Sequence, residues 1–90
     1  METPFYFRIE TPSGIFVEGE DITLVEVTTE IGRLGVMANH EPMVAACPPG
    51  LMRISQGGEW ITLRISRALL VVEPHGVKLL TPLARLALGR

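Results

Sequence analysis

The sequence predicts an all-β protein, a small β-sandwich of short antiparallel strands, and three observations carry that prediction. Apolar and polar residues alternate with the two-residue period of half-buried strands over residues 5–10 and again over residues 60–66. Turn residues recur about every ten positions, the spacing of a sandwich or small barrel. No stretch before Thr81 shows a capped apolar repeat of helical period.

The elements follow in order. Phe5, Phe7 and Ile9 share one face of a first strand, with Tyr6, Arg8 and Glu10 on the other, and Pro12-Ser13-Gly14 ends it. Residues 15–17 read as a short strand closed by the acidic stretch Glu18-Gly19-Glu20-Asp21. Residues 22–28 are rich in β-branched side chains and predict a central strand. A turn at Glu30-Ile31-Gly32-Arg33 leads to a brief return strand over residues 34–37. The polar loop Ala38-Asn39-His40-Glu41-Pro42 precedes a weaker strand over residues 43–47, stopped by Pro48-Pro49-Gly50. Gln56-Gly57-Gly58-Glu59 is the clearest hairpin turn, flanked by strands over residues 51–55 and 60–66. A corner at Arg67-Ala68, a strand over residues 69–73, the turn Pro74-His75-Gly76 and a strand over residues 77–81 complete the body. The tail, residues 83–90, has helix-forming residues in too short a run to stand alone, and is expected as a short helix or disordered.

Ninety residues support one domain, residues 1–90, and the 47% apolar fraction supplies one core. Eight basic and ten acidic residues give a net charge of -2, with the arginines scattered singly and Lys78 the only lysine. That balance argues against a nucleic-acid partner, which calls for a basic stripe. Cys47 is the only cysteine, so neither an internal disulfide nor a cysteine-based zinc site can form, and a reducing compartment is expected. The N-terminus lacks the basic start and apolar run of a secretory signal. No apolar run approaches the roughly 20 residues of a membrane-spanning helix.

Catalytic chemistry is not visible. Cys47, Ser13, Ser55 and Ser66 form no recognisable nucleophile signature with His40 or His75. Cys47 reads as a small buried hydrophobe and His75 as a solvated turn residue. Two histidines thirty-five positions apart do not make a metal site, and the Glu18–Asp21 spacing does not match a calcium loop. No glycine motif cradles phosphate. The expectation is no cofactor, no metal and no enzyme activity of the chain's own.

Three ordered segments carry a resemblance. Gly32-Arg33-Leu34-Gly35-Val36-Met37-Ala38-Asn39-His40-Glu41-Pro42-Met43 resembles the Gly-x-Leu-Gly-Ile and Gly-His-Ala-Pro-Leu motifs of the sandwich domain of rotary (F-type) ATP synthase epsilon subunits. Pro49-Gly50-Leu51-Met52-Arg53-Ile54 is similar to that family's Pro-Gly-x-x-x-Ile. Residues 66–72, followed by Glu73-Pro74-His75-Gly76-Val77, look like its Ser-Gly-Gly-x-x-x-Val strand, turn and returning strand. The set runs from about Phe5 to Ala84.

The resemblance implies a non-catalytic central-stalk subunit that docks on the gamma subunit and the c-ring and couples ion-driven rotation to ATP synthesis. It implies a peripheral position on the cytoplasmic face of the inner membrane or the equivalent organellar face, touching the membrane only through the c-ring. The interface positions it implies are Arg33, Asn39, His40, Glu41, Pro42, Met43 and Ala45. His40 stands open between a polar interface residue and a loop residue bonded to its own backbone. Arg33 departs from the carboxylate that many members carry there, so charge pairing with the ring is expected to be altered or reversed. Arg67-Ala68 replaces a glycine pair, so that corner must avoid positive φ or bear strain. The family's two-helix C-terminal domain is expected to be absent from these residues, and with it ATP binding. The competing readings are an unrelated β-sandwich module for a peptide or carbohydrate, for which Tyr6 and Trp60 are the only polar-tipped aromatics, and a small β enzyme.

Overall fold

Nine strands follow one another without an intervening helix in the computed structural model, which describes residues 3–87. They are β1 (Phe5–Thr11), β2 (Gly14–Thr29), β3 (Gly32–Val36), β4 (Met43–Cys47), β5 (Gly50–Gln56), β6 (Glu59–Ile65), β7 (Ala68–Glu73), β8 (Gly76–Leu80) and β9 (Ala84–Leu86). Hydrogen bonds join them in the order β4-β7-β8-β1-β2-β5-β6-β9, with β3 on the other side of β2. The molecule is 26 Å across at its thinnest, and a single sheet layer occupies only about 10 Å. The sheet therefore doubles over on itself.

The fold line runs through β2. Its 16 residues would extend to about 50 Å if straight, yet the longest dimension of the molecule is 30 Å. The first half of β2 pairs with β1, and the second half pairs with β3 and β5. Register shifts between Phe5 and Phe7 and between Ile22 and Leu24 mark where the strand passes from one layer to the other. This corrects the expectation of a short strand closed by an acidic turn. Glu18 and Gly19 pair in register with Arg8 and Phe7. Gln56 Nε2 donates to Asp21 Oδ1 at 2.8 Å and pins the bend. A Cβ on Gly19 would fall 2.7 Å from Gln56 Nε2 and 3.1 Å from Asp21 Oδ1, so a larger residue there would push the Gln56 amide off its present contact.

A second correction concerns strand direction. β1 and β8 pair in parallel, from Phe7 opposite Val77 to Glu10 opposite Leu80. The crossover that parallel pairing needs is the whole of β2 to β7. A third concerns the tail, expected as a short helix or disordered. Ala84–Leu86 is a strand antiparallel to β6, because the free edge of β6 offers backbone partners that a short helix could not replace. Ser66 fixes the approach: its N–H donates to the Leu83 carbonyl at 3.0 Å and its Oγ accepts from Leu83 N at 3.1 Å. The rest of the tail, residues 88–90, lies outside the described residues.

The core sits between the layers and follows the two-residue period. Phe7, Ile9, Val25, Val27, Ile54, Leu63, Leu70 and Leu79 are 0% exposed. Cys47 is buried among them, as expected of a small hydrophobe, and burial pushes its thiol pKa up. Gly57 and Gly58, with φ of 58° and 84°, give the β5–β6 hairpin the primed turn that matches strand twist. The corner expected at Arg67-Ala68 lies one residue earlier, at Ser66-Arg67, with Ala68 opening β7, and it stays out of positive φ. Its carbonyls are held by Thr81, whose buried Oγ1 donates to Arg67 O at 3.0 Å.

Candidate partner interface

The β2–β3 hairpin and the β3–β4 loop carry the residues singled out from the sequence, at opposite ends of β3. At the hairpin, Thr29 is buried and braces the turn. Its Oγ1 donates to the Gly32 carbonyl at 2.8 Å and accepts from Ile31 N at 3.2 Å. The bracing leaves Ile31 at the tip 99% exposed. Among the described residues it is the most exposed of the large apolar side chains.

Arg33, expected in the turn, follows the tip as part of β3 and is exposed. Its guanidinium donates to Thr28 Oγ1 at 3.2 Å and to Glu26 Oε1 at 3.2 Å. Arg53 reaches the same oxygen at 2.6 Å and lies over the Trp60 ring at 4.0 Å. Glu26, held first by Arg53 and then by Arg33, has its carboxyl pKa lowered. The charge at position 33 is thus already paired within the chain, in a surface contact of the kind that contributes little stability.

At the other end, Asn39 is the one non-glycine residue with positive φ, 66°, among the described residues. Asparagine tolerates that conformation better than most side chains. His40 N donates to the Met37 carbonyl at 3.3 Å, closing the turn, and its Nδ1 lies 2.9 Å from the Glu41 carbonyl. A carbonyl only accepts, so Nδ1 carries the proton in that contact, and in the neutral ring Nε2 is then an acceptor. Of the two readings of His40, the backbone-bonded one describes its Nδ1. The half-buried ring still offers its second nitrogen to a partner. Glu41 and Pro42 are exposed, and Pro42 leads the chain into β4.

Two grooves separate these groups. Arg33, Met43 and Ala45 line one of 300 Å³ between the free edges of β3 and β4, together with Ile31 and Val44. Asn39, His40 and Pro42 line another of 460 Å³ at the far end, with Met37, Glu73 and His75. β3 sets them apart by about 13 Å. His40 and Cys47 lie at opposite ends of β4 and line different grooves. His40 and His75, far apart in sequence, share one groove, which no spacing argument shows. Ile31 is not among the residues the sequence singles out; its one signal is an aliphatic side chain inside a two-residue turn.

The molecule is thus a two-layer all-β body with turns, edges and exposed apolar side chains on its surface, the class of a small β-sandwich domain. It belongs to the family described as the ATP synthase delta/epsilon chain, β-sandwich domain, whose match covers residues 4–87. The chain is 34% identical over 84 residues to the ATP synthase epsilon chain of Alkaliphilus oremlandii, covering 93% of this chain and 62% of that one. It is 31% identical over 80 residues to that of Ruminiclostridium cellulolyticum, covering 89% and 59%. It spans between half and two-thirds of the length of these relatives. Among solved structures, a chain of the Euglena gracilis mitochondrial ATP synthase, from an OSCP/F1/c-ring structure, superposes with a TM-score of 0.86 at 22% identity, covering 92% of this chain and 53% of that one. A chain of the Tetrahymena thermophila mitochondrial ATP synthase central stalk and c-ring gives 0.79 at 10% identity, covering 93% and 67%. At those identities the superpositions speak for the fold.

Proposed function

We propose that this chain serves as the docking part of a central-stalk epsilon subunit, joining the gamma subunit to the c-ring of a proton- or sodium-driven ATP synthase without catalysing a reaction itself. Family membership supports the reading, and the observation that carries it is the hairpin tip. Ile31 is held 99% exposed by a turn whose own hydrogen bonds are satisfied. With Val44, 61% exposed, and the Leu34, Met43 and Ala45 groove beside it, the tip forms a contiguous apolar patch that burial against a partner would stabilise.

The two ends of β3 suit two contacts. The hairpin, with Ile31, Arg33 and the Met43 and Ala45 groove, takes one partner. The Asn39-His40-Glu41-Pro42 loop takes the other through exposed backbone and the His40 Nε2 acceptor. Arg33 in place of a carboxylate matches a ring loop of different charge pattern. A packed β body is stiff enough to pass torque between such contacts. The place of action is the membrane face on which the catalytic head sits, with the bilayer reached only through the ring, and nucleotide is not bound by these residues.

Co-expression with the cognate gamma subunit and c-ring tests this. A complex that survives size exclusion, and that Arg33→Glu weakens, supports the reading. A chain that elutes alone from both partners overturns it. Nucleotide affinity in titration calorimetry of the isolated chain contradicts the last clause.

A further inference from the structure

The outer face of the layer formed by the second half of β2 with β5, β6 and β9 has a charge pattern that the docking ends of β3 do not use. It presents Arg53, Arg64 and Arg85, with Glu26 as the carboxylate that pairs with Arg53 and, from β3, with Arg33. The chain as a whole carries -2, so this face is basic while the remainder is acidic. Arg64 and Arg85 are Cα partners directly opposite each other on β6 and β9, both exposed. No ion pair joins either to a carboxylate among the described residues. Like charges directly opposite across an antiparallel pair, about 5.5 Å apart, are destabilising, so the free chain carries a cost at this position. Beside them, Leu51 sits opposite Arg64 and is 46% exposed, and Trp60 is 49% exposed against Arg53.

We infer that the Arg64–Arg85 pair is a carboxylate clamp, a docking site for an acidic protein segment that sets a Glu or Asp side chain between the two guanidiniums and an aliphatic side chain on Leu51. Two opposed guanidinium forks match the two oxygens of one carboxylate, and an anion between them turns mutual repulsion into paired, charge-assisted hydrogen bonds. Further along the same face, Arg53 and the Trp60 ring it stacks on extend the surface with residue types on which binding energy concentrates. Phosphate polymers fit less well. Glu26 stands on the same face and would repel a continuous run of negative charge, and the lone lysine, Lys78, is on the other layer. The clamp shares its outer face with Arg33, which bonds the same Glu26 oxygen as Arg53, but it lies on β6 and β9, three strands and more from β3, and its test uses the isolated chain.

The test uses a short labelled peptide with Glu and Leu in alternation, its Gln-for-Glu counterpart, vesicles of phosphatidylcholine with phosphatidylglycerol, and a thymidine oligonucleotide. The expected result is binding of the Glu peptide alone, weakened about tenfold by Arg64→Glu or Arg85→Glu and unchanged by Lys78→Gln. Arg64→Gln is a second and independent readout: relief of the repulsion should raise Tm at low salt while weakening the peptide. Equal binding by the charge-reversed chains overturns the proposal, as does an unchanged or lower Tm for Arg64→Gln. Tighter Arg64-dependent binding of the vesicles or the oligonucleotide overturns it in favour of a lipid or nucleic-acid surface.

Discussion

Replacing Ile31 by aspartate separates a docking role for the hairpin from a structural one. The side chain is 99% exposed and the turn beneath it is held by Thr29 and backbone. The free chain should therefore lose no more than about 0.5 kcal/mol, the range of ordinary surface substitutions. In a domain of this size that lowers Tm by at most about 4 °C. Full burial of an isoleucine against a partner contributes about 1.5–3 kcal/mol, so its loss should weaken assembly about 10- to 150-fold. Thermal unfolding followed by circular dichroism gives the first quantity, and titration of labelled chain into the gamma and c-ring assembly gives the second. Leu63→Ala, at a position 0% exposed, is the contrasting case. It should cost about 2–5 kcal/mol and lower Tm by at least about 8 °C. The reasoning is refuted if Ile31→Asp unfolds the chain as Leu63→Ala does, or if it leaves assembly affinity unchanged.

Glu26 predicts an acid dependence of fixed sign. Its carboxyl pKa is lowered in the folded chain, chiefly by Arg53, so its contribution is present above the ordinary carboxylate value of 4.5 and is lost as pH falls through the lowered one. The Tm advantage over Glu26→Gln should shrink on acidification through that window, and an advantage that grows instead would contradict the assignment. Asn39 holds φ at 66°, so Asn39→Val should destabilise by about 1–2 kcal/mol in chemical denaturation while Asn39→Gly stays near neutral. Equal losses would show that the side chain, not the backbone conformation, matters there. Cys47 is 3% exposed with its pKa raised by burial, so thiol reagents should modify it only as fast as the chain opens. Rapid labelling of native protein would count against that burial.

The parts of the fold that local periodicity governs could be read from the residues. Phe7 and Ile9, and Leu63 and Ile65, alternate with polar neighbours and are buried as that alternation requires. Gly57-Gly58 marks its hairpin through the backbone conformation it permits. The misreadings arose where long-range pairing decides. Gly19 and Asp21 look like turn residues, yet they shape a bend in one continuous strand because β1 pairs through them and Gln56 anchors Asp21. The parallel pairing of β1 with β8 joins distant segments and leaves no local mark. Ala84-Arg85-Leu86 favours a helix by composition and becomes a strand because β6 has a free edge.

The candidate interface was legible only in part. Resemblance pointed to Arg33 and to the Asn39–Met43 stretch, but not to their division between two grooves at the ends of β3. Ile31 was hidden by its place in a turn, where an apolar residue usually draws no notice. The pairing of Arg33 with Glu26, and the opposition of Arg64 to Arg85, depend on strand register, which a single sequence does not specify.

A photoactivatable benzophenone side chain at position 31, in the assembled complex, addresses the hairpin contact most directly. The account predicts covalent attachment from that tip to the c-ring or to the gamma subunit, lost when that partner is withheld. Labelling confined to the chain itself would contradict it.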